Sequence, residues 1–258
     1  MFHLPLWSAF ADAAADPRFV YAFAIATVAG LVRGFSGFGS ALIYMPLISA
    51  VYGPAIGAAT LLLFDTACGL PFAIHAWPKA NRREVLPVSI AGAAAVPFGV
   101  MALLYVDPLV LRWFIAVLVL AALAALVAGW RYHGKPTLFA SFGVGAMSGF
   151  GAGAVQIGAP PLLVFWLGGA NSATTVRANI MVYFILQGTL SLALYFYSGL
   201  FSAQVVVLGL LFGVPFAIAM FAGAYWFHGS SDGLYRRVAY VIIAFAGLVS
   251  LPIFDSLR

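Results

Sequence analysis

The sequence predicts an all-α polytopic membrane protein built from two homologous, inverted halves, each with one glycine-rich broken or re-entrant segment plus three transmembrane helices. Three observations predict it. The 258 residues are 64% hydrophobic and 7% charged, with a mean hydropathy of +1.08, far outside the range of a soluble domain. The apolar run from Phe19 to Val51 would measure roughly 50 Å as one straight helix, against a hydrocarbon core of about 30 Å, so it must break, tilt or turn back. The glycine pattern of that run then returns later, Gly34-Phe35 matching Gly149-Phe150 and Pro46-Leu47 matching Pro161-Leu162 at the same separation.

Taken in order, Met1–Ala15 has no basic start, and its short apolar run carries Asp12. A cleaved signal peptide is therefore not expected, and residues 1–17 are expected to lie along the interface. In the first broken segment Gly34, Gly37 and Gly39 allow the φ values of a break, and Pro46 leaves the Leu42 carbonyl without its helical partner. Freed backbone groups inside lipid survive only where protein or a wet cavity covers them. The run is therefore expected to line a site. Tyr52-Gly53-Pro54 makes a turn, and Ala55–Ile74 follows as a span interrupted only by Asp65. His75–Glu84 is a polar connector whose Trp77 suits the headgroup level and whose bases suit the cytoplasm. Leu86–Tyr105 spans next with a kink at Pro97, Asp107-Pro108 caps a span over Leu109–Val127, and Trp130–Pro136 closes the half.

The second half repeats the plan. Leu138–Leu167 is the broken segment, Gly168–Ser172 the turn, and Ala173–Tyr197 the most polar span, with Arg177, Asn179 and Gln187. Ala203–Phe227 carries Val214-Pro215-Phe216, answering Val96-Pro97-Phe98. Asp232 and Leu234 answer Asp107 and Leu109 before a last span to Ile253. Anchors recurring in one order identify two halves, residues 1–135 and 136–258, forming one transmembrane domain. For either glycine motif alone the plainer alternative is a close-packed helix face, since Gly-xxx-Gly is common at such contacts.

Charge placement tests how the halves sit. If each broken segment crossed once, Arg236 and Arg237 would fall opposite Lys79, Arg82, Arg83, Arg131 and Lys135, against the positive-inside rule. If each enters and leaves on one side, or crosses twice as two short helices, all seven bases share a compartment and the halves are inverted. Arg18, Arg112 and Arg258 are then the bases opposite. The net charge of +5 sits mostly in these short connectors and does not imply nucleic acid. The single cysteine, Cys68, excludes an internal disulfide and a thiolate metal cluster.

With these residues laid out, the chain resembles the TauE/SafE family of membrane transporters, named for sulfite export. The likeness rests on the doubled glycine-rich motif ending in Pro-Leu and on the charged middle linker Trp130–Pro136, and it covers nearly the whole chain. It implies a secondary transporter of a small anion, most simply a sulfur oxyanion or organosulfonate. The expected location is the bacterial inner membrane. In that match Arg33 stands opposite Ser148, and Ala152 and Ala154 replace two glycines of the first copy.

The candidate substrate-binding residues are Arg33, Gly34, Gly37, Ser40, Gly153, Gln156, Arg177 and Asn179. A central arginine costs about 2.5–3.5 kcal/mol on insertion scales, so something must compensate for Arg33 and Arg177, and an anion would. For Arg177, near the start of its span, snorkelling to the headgroups is the alternative. Both guanidinium forks suit a pair of sulfite or sulfonate oxygens. Half-helices beginning near Ser40 and Gly153 would add unpaired amides and positive dipole ends. Gln156, Asn179 and Gln187 offer side-chain amides, Gln187 more simply as a helix contact. Asp65 is read either as a structural partner of an arginine or as a titrating group that couples transport to protons. No cofactor or metal is expected, because His3, His75, His133 and His228 fall at segment ends and no two share a helix at ligand spacing. No catalytic arrangement is evident either, so an enzyme is not expected. The other readings are a non-transporting assembly protein, a transporter of a different anion in the uptake direction, and a homo-oligomer of either.

Overall fold

The computed structural model describes residues 10–11, 13, 15–36, 38–130, 132, 137–167, 171–226 and 232–253, with the backbone alone at 35, 36, 173, 226 and 232–239. Ten helices account for most of them: α1 Phe19–Ser36, α2 Ser40–Tyr52, α3 Pro54–Ala76, α4 Arg82–Tyr105, α5 Pro108–Val127, α6 Leu138–Val155, α7 Ala159–Leu167, α8 Ala173–Tyr197, α9 Ala203–Trp226 and α10 Asp232–Val249. No strand occurs among the described residues. The helices α3, α4, α5, α6, α8 and α9 are each long and apolar enough to cross a bilayer. Their large apolar side chains, such as Ile90 and Phe98 on α4 or Leu210, Val214 and Ile218 on α9, are exposed on the outer wall, where lipid rather than water is the solvent. Arg131, Lys135, residues 168–170, Arg258, Gly37 and most of the segment 1–17 lie outside the described residues.

Each glycine-rich segment is a pair of helices separated by a short break. In the first, α1 ends at Ser36 and α2 begins at Ser40, with Gly39 at φ 95°. Pro46 does not make the break, because α2 runs through it. In the second, α6 ends at Val155 and α7 begins at Ala159, not near Gly153. The helix ends therefore align Ser36 with Val155 and Ser40 with Ala159, one helical turn away from the match of Gly34 to Gly149 that the sequence suggests. A stripe of glycines four residues apart, Gly145, Gly149 and Gly153, conceals such a slip, because moving it by one turn leaves glycine on glycine. Counted from the helix ends, Arg33 corresponds to Ala152.

The stripes have a packing role. A Cβ at Gly145, Gly149 or Gly153 would run into the backbone carbonyls of Val88, Gly92 and Val96 on α4, and Gly30 and Gly34 meet those of Phe216 and Met220 on α9 in the same way. α6 therefore lies backbone to backbone on α4, and α1 on α9, so that each broken segment is gripped by a helix of the other half.

Two further contacts fix where the segments start and end. Arg18 donates to the Val51 carbonyl at 3.3 Å, and Phe19 and Tyr52 both pack on Phe212, so the start of α1 and the end of α2 lie at one level. The Tyr132 amide donates to the Val164 carbonyl at 2.9 Å, bringing the linker that follows α5 to the last turn of α7. Past the connector, the Asn81 amide donates to Asn179 Oδ1 at 2.8 Å and Asn171 donates to Glu84 at 2.7 Å, which ties the start of α4 to the start of α8.

Candidate functional site

Arg33 sits in the last turn of α1, where the negative end of the helix dipole favours a cation. Its fork closes on Asp65 in α3, Nε to Oδ1 at 3.0 Å and Nη2 to Oδ2 at 3.1 Å, the two-pronged geometry that makes arginine–carboxylate pairs strong. Ser40, which opens α2, donates to Asp65 Oδ1 at 3.2 Å. One carboxylate thus ties together both helices of the first break and the span beside them. The Phe184 ring on α8 covers the guanidinium at 5.8 Å from its centroid. The pair is not dry: the Asp65 side chain is 23% exposed against 10% for Arg33.

The exposure comes from two cavities that follow one another along α3 and α8. The first, about 40 Å³, is lined by Gly69 and Phe72 of α3, Arg177 and Met181 of α8, Gly34 of α1 and Met220 of α9. The second, about 50 Å³, is lined by Ser40 and Gln156 at the two breaks, by Leu61 of α3, and by Gln187, Gly188 and Ser191 of α8. Arg33, Asp65, Thr66 and Phe184 line both and stand between them. At roughly 10–15 Å³ per water, the second cavity has room for three or four waters or one small oxyanion.

The two breaks do not offer equal donors. Ser40 and Ala41 head α2 with amides that lack a preceding helical turn to bond to. α7 opens Ala159-Pro160-Pro161, and its two prolines carry no N–H. The donor-rich tip is therefore α2, beside Arg33. The second break closes differently: Gln156 has φ 58°, the only positive φ outside glycine among the described residues. Its amide bonds the Ala152 carbonyl at 3.1 Å while the Ile157 amide reaches Gly151 at 3.1 Å, a helix-ending motif in which glycine is the usual residue. A glutamine there costs about 1–2 kcal/mol of backbone strain. The side chain supplies a contact in return, donating to Tyr195 Oη at 3.2 Å, while the Tyr195 hydroxyl donates to the Gly153 carbonyl at 2.7 Å.

Of the residues picked from the sequence, Arg33, Ser40, Gln156 and Asp65 come together around the second cavity, and Gly34 and Arg177 line the first. Gly153 lines neither; its close approach to Val96 makes it a packing residue of α6. Asn179 lines neither, holding the connector amide of Asn81 instead. Gly37 lies outside the described residues. Sequence reasoning missed Thr66, Phe184 and Ser191, and it preferred the helix-contact reading for Gln187. Gln187 does make one, donating to the Ser89 carbonyl at 2.9 Å, but its Oε1 is buried without a hydrogen-bond partner beside the second cavity. Its polarity in an apolar span was the available signal. Phe184 carried none among 23 phenylalanines.

Residues 22–250 match the family described as sulfite exporter TauE/SafE. The chain belongs to that family. Neither a curated protein nor a solved structure matches it. Membership of the TauE/SafE family implies a membrane transporter of sulfur-related anions. The six apolar helices agree with an integral membrane protein.

Proposed function

We propose that the chain carries a sulfur oxyanion or organosulfonate across the membrane by alternating access, with Arg33 as the principal anion ligand at the meeting of two inverted broken segments. The observation that carries this is the bidentate Arg33–Asp65 pair, set between two cavities at the first helix break. Asp65 stands where an anion would bind, and Ser40 and the α2 amides surround the same point. A non-transporting scaffold has no use for a charged pair in a cavity at a membrane-buried break, which is costly to place there.

The levels of the segment ends favour inverted halves. With Arg18 against Val51, the first broken segment enters and leaves on one face; with Tyr132 against Val164, the second does so on the other. Lys79, Arg82 and Arg83 then share one compartment with the start of α10 at Arg236 and Arg237, the cytoplasm by the positive-inside rule. The exchanged packing of α1 on α9 and α6 on α4 accords with a pseudo-two-fold relation between the halves. Asp65 is the proton-coupling candidate, since an anion that takes its place on Arg33 leaves its carboxylate without a cation.

Flux tests the reading. Proteoliposomes loaded with sulfite and carrying the purified chain are expected to release it faster than protein-free liposomes, and external taurine or methanesulfonate is expected to slow the release if one site serves both classes. Release equal to that of protein-free liposomes, for sulfite, sulfate, thiosulfate and sulfonates alike, would leave the scaffold reading in possession.

A further inference from the structure

We propose that the cavity at Arg177 is a second anion-binding site, a vestibule on the connector face that receives a singly charged sulfonate-type anion before it reaches the cavity at the breaks. This rests on the reading of the chain as an anion transporter.

Position comes first. α3 runs out to the connector at Trp77–Lys79, and α8 starts from the turn at Asn171 and Ser172, which is held beside that connector by its hydrogen bonds to Asn81 and Glu84 at the start of α4. On α3 the first cavity reaches from Asp65 to Phe72, and on α8 from Phe184 back to Arg177, so it extends about 10 Å from the ion pair toward that connector. The second cavity extends the other way, to Leu61 and Ser191. On that side Tyr44, which shares a hydrogen bond with Thr60 next to Leu61, and Tyr195, one turn on from Ser191, are fully buried. The two cavities are thus successive chambers along α3 and α8, with Arg33, Asp65 and Phe184 between them.

Charge comes second. Arg33, Arg177 and Asp65 are the titratable residues lining the vestibule among the described residues, and together they carry one net positive charge. Asp65 is already committed to Arg33 on both oxygens. Arg177 faces no carboxylate there, and its Nε is buried without a hydrogen-bond partner. One monoanion neutralises the chamber, whereas a dianion would reverse its sign. The rest of the wall is apolar, with Phe72, Met181, Ile185 and Met220, which suits a ligand with a charged sulfonate head and a hydrocarbon body. Passage onward requires that the anion displace the Asp65 carboxylate from Arg33. The ion pair is then the latch between the chambers, and Arg177 holds the anion beside it.

Single cysteines in a Cys68→Ala background read the two chambers separately. Gly69→Cys reports the vestibule, where an added Cβ meets only Arg33 Nη2 at an ordinary 3.6 Å. Ser191→Cys reports the break cavity. The probe is methanesulfonate, which does not react with thiols or with the maleimide label. Methanesulfonate is expected to protect both cysteines. Arg177→Gln is expected to raise the protecting concentration at Gly69→Cys about tenfold, the loss of one charge-assisted hydrogen bond, while leaving that at Ser191→Cys within about threefold. Arg177→Lys, which keeps the charge, is expected to recover part of the loss. If Arg177→Gln leaves Gly69→Cys protection in place, or shifts both cysteines together, the vestibule is not a separate site. Protection at Ser191→Cys alone removes the vestibule and spares the transporter reading, and protection at neither removes both.

Discussion

Arg33→Ala is expected to abolish anion binding and to destabilise the folded protein by about 3–5 kcal/mol, the usual cost of removing one partner of a buried ion pair. Sequence reasoning alone predicts the first effect without the second, because deleting a cation from a membrane helix eases insertion. The structure adds Asp65: without the guanidinium, a carboxylate 23% exposed and held by Ser40 alone among its described hydrogen bonds remains inside the membrane. The double variant Arg33→Ala/Asp65→Ala should therefore recover most of the lost stability while binding no anion. Thermal melting in detergent with sulfite titration separates the two effects. A double variant no more stable than Arg33→Ala would mean that Arg33 supports the fold through something other than its pair.

Gly149→Ala is expected to be strongly destabilising for a single added methyl group. The added Cβ would collide with the Gly92 carbonyl and Cα on α4, which are backbone atoms with no rotamer to yield. α6 and α4 would have to separate along the stripe that also holds Gly145 and Gly153, at a cost above about 3 kcal/mol, the upper end for overpacking. Gly143→Ala on the same helix, where an added Cβ meets nothing within 4 Å, is the control and should melt as the parent does. Equal melting of the two variants would show that α6 does not lie on α4 through its glycines.

Much of the architecture was legible because lipid imposes simple rules. Span lengths, the Asp107 cap that accepts from the Leu109 amide at 2.7 Å, and the presence of two broken segments follow from hydropathy, capping and the length a bilayer allows. The position of the second break was not legible. Sequence reasoning looked for it at glycines, and the chain instead turns at Gln156, a residue that only its side-chain contact with Tyr195 explains. Gly153, which looked like the hinge, is spent on the approach to Val96. The helix ends of the two breaks correspond one turn away from the glycine match, because a four-residue glycine stripe is indifferent to a four-residue shift. At the site, Arg33 and Asp65 stood out because charge inside a span has few reasons to exist. Their pairing across α1 and α3 is a tertiary fact, as is the partition that Phe184 completes. Asn179 also stood out for its polarity, and it is used at the connector. Polarity identifies residues that need a partner; it does not say whether the partner is a ligand or the chain itself.

The central claim is that Arg33 is an anion ligand whose place is kept by Asp65, and equilibrium binding of sulfur-labelled sulfite to the purified protein tests it most directly. The two members of one ion pair should then act in opposite directions. Arg33→Gln removes the ligand and should weaken binding at least about a hundredfold, equivalent to about 2.7 kcal/mol. Asp65→Asn removes the competing carboxylate, raises the net charge beside the breaks by one, and should bind as tightly as the parent or more so. Weakening by both substitutions, or parent-like binding in Arg33→Gln, would contradict the account and return the pair to a purely structural role.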